Sequence, residues 1–197
     1  MSDFDYFTVL LSFVVSLGVT TLLATVARLL QESDRVVFSW RYALWAAAIF
    51  NLQVSFWIKS WSYHESYEMH ISTALPPLML AIAAFLACGL ATPAVRDGET
   101  INLKAFHDAN GGKYAIAFAA FMVLAIVQAA LYGDLFPGES SVPVDAIMQA
   151  TFAVLAIAAA GFRGQGWLQG GGPIVFLAGS GASYEKLVGG GGPPAPP

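Results

Sequence analysis

Charge is what this sequence has least of. Asp, Glu, Lys and Arg together make up 11% of its 197 residues, less than half the roughly 25% of an average soluble domain. Hydrophobic residues make up 57%, and the mean hydropathy is +0.64. A soluble domain of this length has too little interior to bury that much apolar surface. The composition predicts an integral membrane protein.

Other absences narrow the chemistry. The single cysteine, Cys88, sits in the apolar run ALPPLMLAIAAFLACGLAT, which excludes an intrachain disulfide, a Cys-x-x-Cys redox pair and a thiolate metal cage. Basic residues number 9 against 13 acidic ones, for a net charge of −4, so no basic stripe exists to neutralise nucleic-acid phosphates. The acidic start MSDFDYF is unlike the basic n-region of a cleavable signal peptide. There is no HExxH, nucleophile elbow or P-loop. The segment IVFLAGSGASYEKL imitates a dinucleotide-binding turn, but too little chain follows it for the βαβ unit that such a site requires.

What is present is a series of apolar segments, each near the roughly 20 helical residues that cross a bilayer core of about 30 Å. Five are predicted to span. The first runs from Tyr6 to about Leu30, and the second from about Trp40 to Trp61. The third starts at Pro76-Pro77, since proline suits a first helical turn, and ends near Thr92-Pro93. The fourth is Tyr114 to Gly133, beginning after the breaker Asn110-Gly111-Gly112, and the fifth runs from about Val144 to Phe162. No Asp, Glu, Lys or His falls in the middle of any of them. Such groups mark proton relays, ion paths and retinal lysines, so a pump, a proton-coupled transporter or a rhodopsin is disfavoured.

Basic residues orient the segments. With the N-terminus outside, the cytoplasmic side holds Arg28, Arg35, Arg41, Arg96, Lys104, Lys113, Arg163 and Lys186, and the outside holds only Lys59. Basic side chains favour the cytoplasmic side. The expected fold is therefore all-α integral membrane: five transmembrane helices over residues 1–163, N-terminus outside, C-terminus cytoplasmic. Residues 164–197 read as a Gly/Pro-rich cytoplasmic tail whose glycines break helical patterning. Its apolar piece PIVFLAG is too short to cross, so an interfacial or partner-bound segment is expected.

Polar residues within this frame are candidate sites. WSYHESYEMH, at the outer end of the second helix, gathers two of the three histidines. If the helix continues, His64 and Glu68 share a face at i, i+4 spacing, with His70 near by. Zinc takes three or four ligands, and this set falls short of an anchored site. The expectation is an interfacial cap without metal, in which Trp57, Trp61, Tyr63 and Tyr67 form an aromatic belt. A bis-histidine haem is disfavoured because the remaining histidine, His107, lies in a cytoplasmic connection. Asn51 and Gln53 sit near mid-membrane on different faces of the second helix, with Gln128 and Gln149 as their expected interhelical partners. Ser12, Ser16 and Thr20 with Gly18, and the alanines of the fifth helix, are small residues suited to close helix packing.

The stretches FDYFTVLLSFVVSLGVTTLLATVARLL and WRYALWAAAIFNLQVSFWIKSW resemble small, Trp-rich polytopic bacterial inner-membrane proteins that carry no assigned activity. The resemblance covers the first two helices and departs at the glycine-rich C-terminus. It implies a multi-pass inner-membrane location and a helical architecture, with no reaction and no cofactor. Two functions follow as expectations. One is a non-catalytic accessory or scaffold subunit of a larger inner-membrane complex, such as a photosynthetic or respiratory one, with the lipid bilayer and other membrane subunits as partners. The other is a small permeation or ligand- or metal-binding protein using the outer His/Glu cluster.

Overall fold

Two short polar residues set where helices begin. Ser39 Oγ accepts the backbone N–H of Tyr42 at 3.5 Å, and Asn102 Oδ1 accepts that of Ala105 at 2.9 Å. Each occupies the N-cap position and satisfies one of the donors that a first helical turn leaves without a partner. In the computed structural model, residues 3–61, 71–94, 98–132, 142–161 and 166–189 are described. They form α1 (Asp3–Gln31), a 3-10 turn (Ser33–Arg35), β1 (Val36–Val37), α2 (Trp40–Trp61), α3 (Ile71–Leu90), β2 (Ile101–Asn102), α4 (Leu103–Tyr132), α5 (Val142–Gly161) and α6 (Gly166–Gly189). The fold is all-helical apart from the two-residue strands. These pair in parallel, Val36 opposite Ile101 and Val37 opposite Asn102, and so fasten the α1–α2 connection to the α3–α4 connection at one end of the bundle.

Two helices, α1 and α4, are long and apolar enough to cross a membrane, and α3 and α5 contribute shorter apolar stretches. α4 lies between α3 and α5; α1 packs on α2 and α3, and α6 on α2 and α5. Small residues bring the helices together: Ala48, Ala81, Ala84, Ala87, Ala115 and Ala159 are all buried. Such close approach multiplies dispersion contacts between the helices. Large apolar side chains point outward, among them Val9, Phe13 and Leu30 on α1, Ile116 and Val123 on α4, and Ile147 and Val154 on α5. An apolar exterior around an apolar core suits a hydrocarbon solvent.

Three expectations from the sequence are corrected. Helix α3 begins at Ile71, with Pro76 and Pro77 inside it. They stand in its second turn, past the four positions whose N–H groups have no helical acceptor, so each removes one helical hydrogen bond. Helix α4 begins at Leu103, not Tyr114, and runs through Asn110-Gly111-Gly112. Gly111 is there for close approach: a Cβ at this position would lie 3.2 Å from atoms of the His107 ring. The helix penalty of about 1 kcal/mol per glycine is offset by burying Leu103, His107 and Tyr114. The largest correction is the glycine-rich C-terminal segment, which forms helix α6. A Cβ on Gly170 would come within 2.3 Å of the Trp40 indole, and one on Gly179 within 3.1 Å of Phe152. These glycines admit neighbouring helices rather than break their own.

Contacts along α6 give its direction. Gln169 is level with Ala159 of α5, Gly172 with Leu155, and Gly179 with Phe152 and Met148, so α5 and α6 are antiparallel. Against α2, Gly170 meets Trp40 and Ser180 meets Asn51, so α2 and α6 are parallel. The chain thus contains a sixth helix returning along the bundle, where a fifth and last helix followed by a tail was expected.

Candidate functional site

The densest buried polar group lies where α2, α4, α5 and α6 meet, and it follows from one proline. Pro173 has no N–H, so the carbonyl of Gln169, four residues earlier in α6, loses its helical donor. Trp45 of α2 supplies the replacement: its Nε1–H donates to Gln169 O at 3.0 Å. The Gln169 side chain then reaches α5, where Nε2–H donates to Ala159 O at 2.5 Å. Ala159 stands in the last turn of α5, where carbonyls have no intrahelical donor. A single residue therefore fastens α6 to α2 through its backbone and to α5 through its side chain.

Helix α4 completes this junction with His107 and Tyr114. His107 is 3% exposed and Tyr114 is fully buried. The Tyr114 hydroxyl meets His107 Nδ1; with the phenol as donor, the ring is the Nε2–H tautomer, a neutral imidazole. Asp108 of α4 and Arg41 of α2 are charges in its surroundings. Aromatic rings wall the junction: Trp45 tilts against Tyr114 at 5.7 Å and meets Phe118 edge-on at 5.8 Å, and Tyr42 meets Phe106 edge-on at 5.9 Å. His107, expected in a cytoplasmic connection, belongs to this buried junction instead. The signal available was His107-x-x-x-Gly111-x-x-Tyr114, which puts an imidazole, a gap and a phenol on one helical face.

The two carboxamides of α2 find partners other than those expected. Asn51 Nδ2–H donates to Ser180 Oγ of α6 at 2.7 Å, and Ser180 Oγ–H donates on to Leu177 O at 3.0 Å. Gln53, fully buried, donates from Nε2 to the backbone carbonyl of Val15 in α1 at 3.4 Å. Gly18 makes room for it, since a Cβ there would overlap Gln53 Nε2 and lie 3.3 Å from Cys88 Sγ. Gln128 and Gln149 partner neither residue; their Oε1 atoms are buried with no hydrogen-bond partner among the described residues. Their pairing with Asn51 and Gln53 is corrected accordingly. The interhelical reach of Asn51 and Gln53 was legible, but their partners lie in a segment read as a tail and in a backbone carbonyl that no side-chain pattern reveals.

At the opposite end of α2, Trp57 is 44% exposed and donates from Nε1 to Ser12 Oγ at 3.3 Å. Trp61 ends the helix. Tyr63, His64, Tyr67, Glu68 and His70 lie outside the described residues. Among the described residues no three His, Cys, Asp or Glu side chains gather as a metal site. A cavity between α2, α4, α5 and α6 is lined by Trp45, Phe118, Phe152, Pro173 and Phe176 and has about 10 Å³ of free volume. That is the space of about one water molecule, in an almost wholly apolar lining whose indole N–H is already bonded to Gln169 O. No protein-family model, curated protein or solved structure matches this chain.

Proposed function

We propose that the protein is a non-catalytic accessory or scaffold subunit of a larger bacterial inner-membrane complex. One observation carries the reading: the interhelical hydrogen bonds of the bundle serve helix packing. Trp45 with Gln169, Asn51 with Ser180, Gln53 with Val15 and Trp57 with Ser12 each tie one helix to another. Polar groups inside a membrane protein otherwise mark a path or a binding site. The apolar outer faces of α1, α4 and α5 leave broad surface for lipid and for neighbouring subunits.

In this reading α1 to α5 cross the bilayer with the N-terminus outside. The connections fastened by the Val36–Ile101 pairing, beside Arg28, Arg35, Arg41 and Lys104, face the cytoplasm, in keeping with the distribution of basic residues. Helix α6 then starts at the cytoplasmic end and runs outward beside α2, which moves Lys186 outside and replaces the cytoplasmic C-terminus expected from the sequence. Extraction of the tagged chain from native membranes into lipid nanodiscs, followed by native mass spectrometry, tests the assignment. Other membrane subunits should accompany it at fixed stoichiometry. A small homo-oligomer carrying a bound ion or small molecule would replace this reading with that of a permeation or ligand-binding protein.

A further inference from the structure

One end of the bundle combines basic side chains with exposed apolar ones, and contacts between helices give their levels. Ser12 of α1 meets Trp57 of α2 and Val15 meets Gln53, so these helices are antiparallel and Arg28 is about level with Arg41. Trp45 meets Tyr114 and Phe56 meets Phe121, so α2 and α4 are parallel and Arg41 is about level with Asn110. Lys113 Nζ donates to Asn110 Oδ1 at 2.9 Å, which draws its charge to the same level. Helices α1, α2 and α4 thus each bring a cation to one plane. Among the described residues Arg35 pairs with Glu32, whereas Arg28, Arg41 and Lys113 have no carboxylate partner. Asp34 follows α1, Glu99 precedes β2 and Asp108 precedes Asn110, so these acids stand further from the bundle centre.

At and just beyond this plane lie apolar side chains that the bundle leaves uncovered. Leu30 is 71% and Phe38 70% exposed, and Val37 and Trp40 are exposed beside them. Pairing of β1 with β2 holds the connection in place. The Arg41 guanidinium stands over the Trp40 indole at 5.9 Å, a cation–π contact that keeps the charge beside the exposed ring. At about 1.5 Å per helical and 3.3 Å per extended residue, Leu30 lies about 3 Å beyond the plane and Phe38 at most about 8 Å. The headgroup layer of a bilayer is about 5–8 Å deep on each side, so both fall within it. Basic and aromatic side chains favour that depth, and each cation there attracts anionic lipid. We propose that this end of the bundle is a seat for anionic phospholipid: Arg28, Arg41 and Lys113 hold lipid phosphates at one level, and Leu30, Phe38 and Trp40 lie among the headgroups and upper acyl chains around them. The proposal rests on the reading that this end meets a membrane surface, and is independent of any partner complex.

The full chain, purified alone into nanodiscs of equimolar phosphatidylglycerol and phosphatidylcholine, tests the seat in two ways. Native mass spectrometry of the chain released with its bound lipids should find phosphatidylglycerol enriched. That preference should fall about fivefold for each of Arg28→Gln, Arg41→Gln and Lys113→Gln. Equal retention of the two lipids, or a preference unchanged in the triple variant, overturns the proposal. A nitroxide at Phe38→Cys in a Cys88→Ala chain reads depth with the cations intact. It should collide more with oxygen than with a water-soluble nickel chelate and lie within about 8 Å of the phosphate plane. Chelate collisions as frequent as at Glu99→Cys would put the patch in water, overturn the seat and mark a surface for a soluble protein. Anionic lipid retained by a chain that brings no partner subunits from native membranes would uphold the seat and sink the accessory-subunit reading.

Discussion

Pro173 and Trp45 make a closed thermodynamic test of how α6 is held. Trp45→Phe keeps an aromatic ring against Phe118 and Tyr114 but removes the indole N–H, so the Gln169 carbonyl loses its donor at 3.0 Å. Leaving a buried acceptor unpartnered costs about 1–3 kcal/mol. Interhelical hydrogen bonds measured in membranes are weaker, averaging about 0.6 and reaching about 1.7 kcal/mol, because the loosened state also finds partners. The hydrogen-bond share should therefore be about 1 kcal/mol, with a further packing loss from the smaller ring. Pro173→Ala separates the two, since residue 173 then has an N–H that can donate to the same carbonyl. In that background Trp45→Phe should cost about 1 kcal/mol less, while the packing loss cancels in the cycle. Reversible unfolding in mixed micelles of the wild type, both single variants and the double variant measures it. Additivity within about 0.3–0.5 kcal/mol would refute the claim that the indole substitutes for the donor that proline lacks.

Two further outcomes follow from the same packing. Gly18→Ala should destabilise the bundle by about 1–3 kcal/mol, because its Cβ would displace Gln53 and press on Cys88. Gly89→Ala meets nothing within 4 Å and should be neutral or stabilising by up to about 1 kcal/mol; equal effects in thermal unfolding would discount the α1–α2–α3 junction. Asn51→Leu should lower stability by about 0.6–2 kcal/mol through loss of the 2.7 Å bond to Ser180. Adding Ser180→Ala to that variant should then cost little more, and a full additional loss would assign Ser180 another role.

Helical architecture was legible because long apolar runs with charge only at their ends leave few alternatives in a bilayer. Where the structure departs from the sequence expectation, one cause recurs: glycine and proline read as punctuation in a sequence. In water Gly111-Gly112 and Gly170-Gly171-Gly172-Pro173 would end helices, since exposed backbone gains solvent partners. In an apolar surround the backbone keeps its internal bonds, and a missing Cβ admits a neighbour, as Gly170 does for Trp40 and Gly111 for His107. The partners of Asn51 and Gln53 were hidden for another reason. One is a serine far along the chain and the other a backbone carbonyl, and neither leaves a pattern in one sequence. His107 was missed because a histidine beside Asp108 and Lys104 looks solvated until the helix through Gly111 folds it inward.

The place of α6 is the claim on which the rest depends, since it turns a tail into a sixth member of the bundle. In native membranes, a Cys88→Ala chain carrying Asn51→Cys and Ser180→Cys should be joined within one molecule by a short bis-thiol reagent, given the 2.7 Å approach of the native side chains. On the proposed topology, the same chain with Lys186→Cys as its only thiol should be labelled from outside. Thiols at 51 and 180 that react separately, with Lys186→Cys labelled from the cytoplasm, would contradict the bundle and restore the tail.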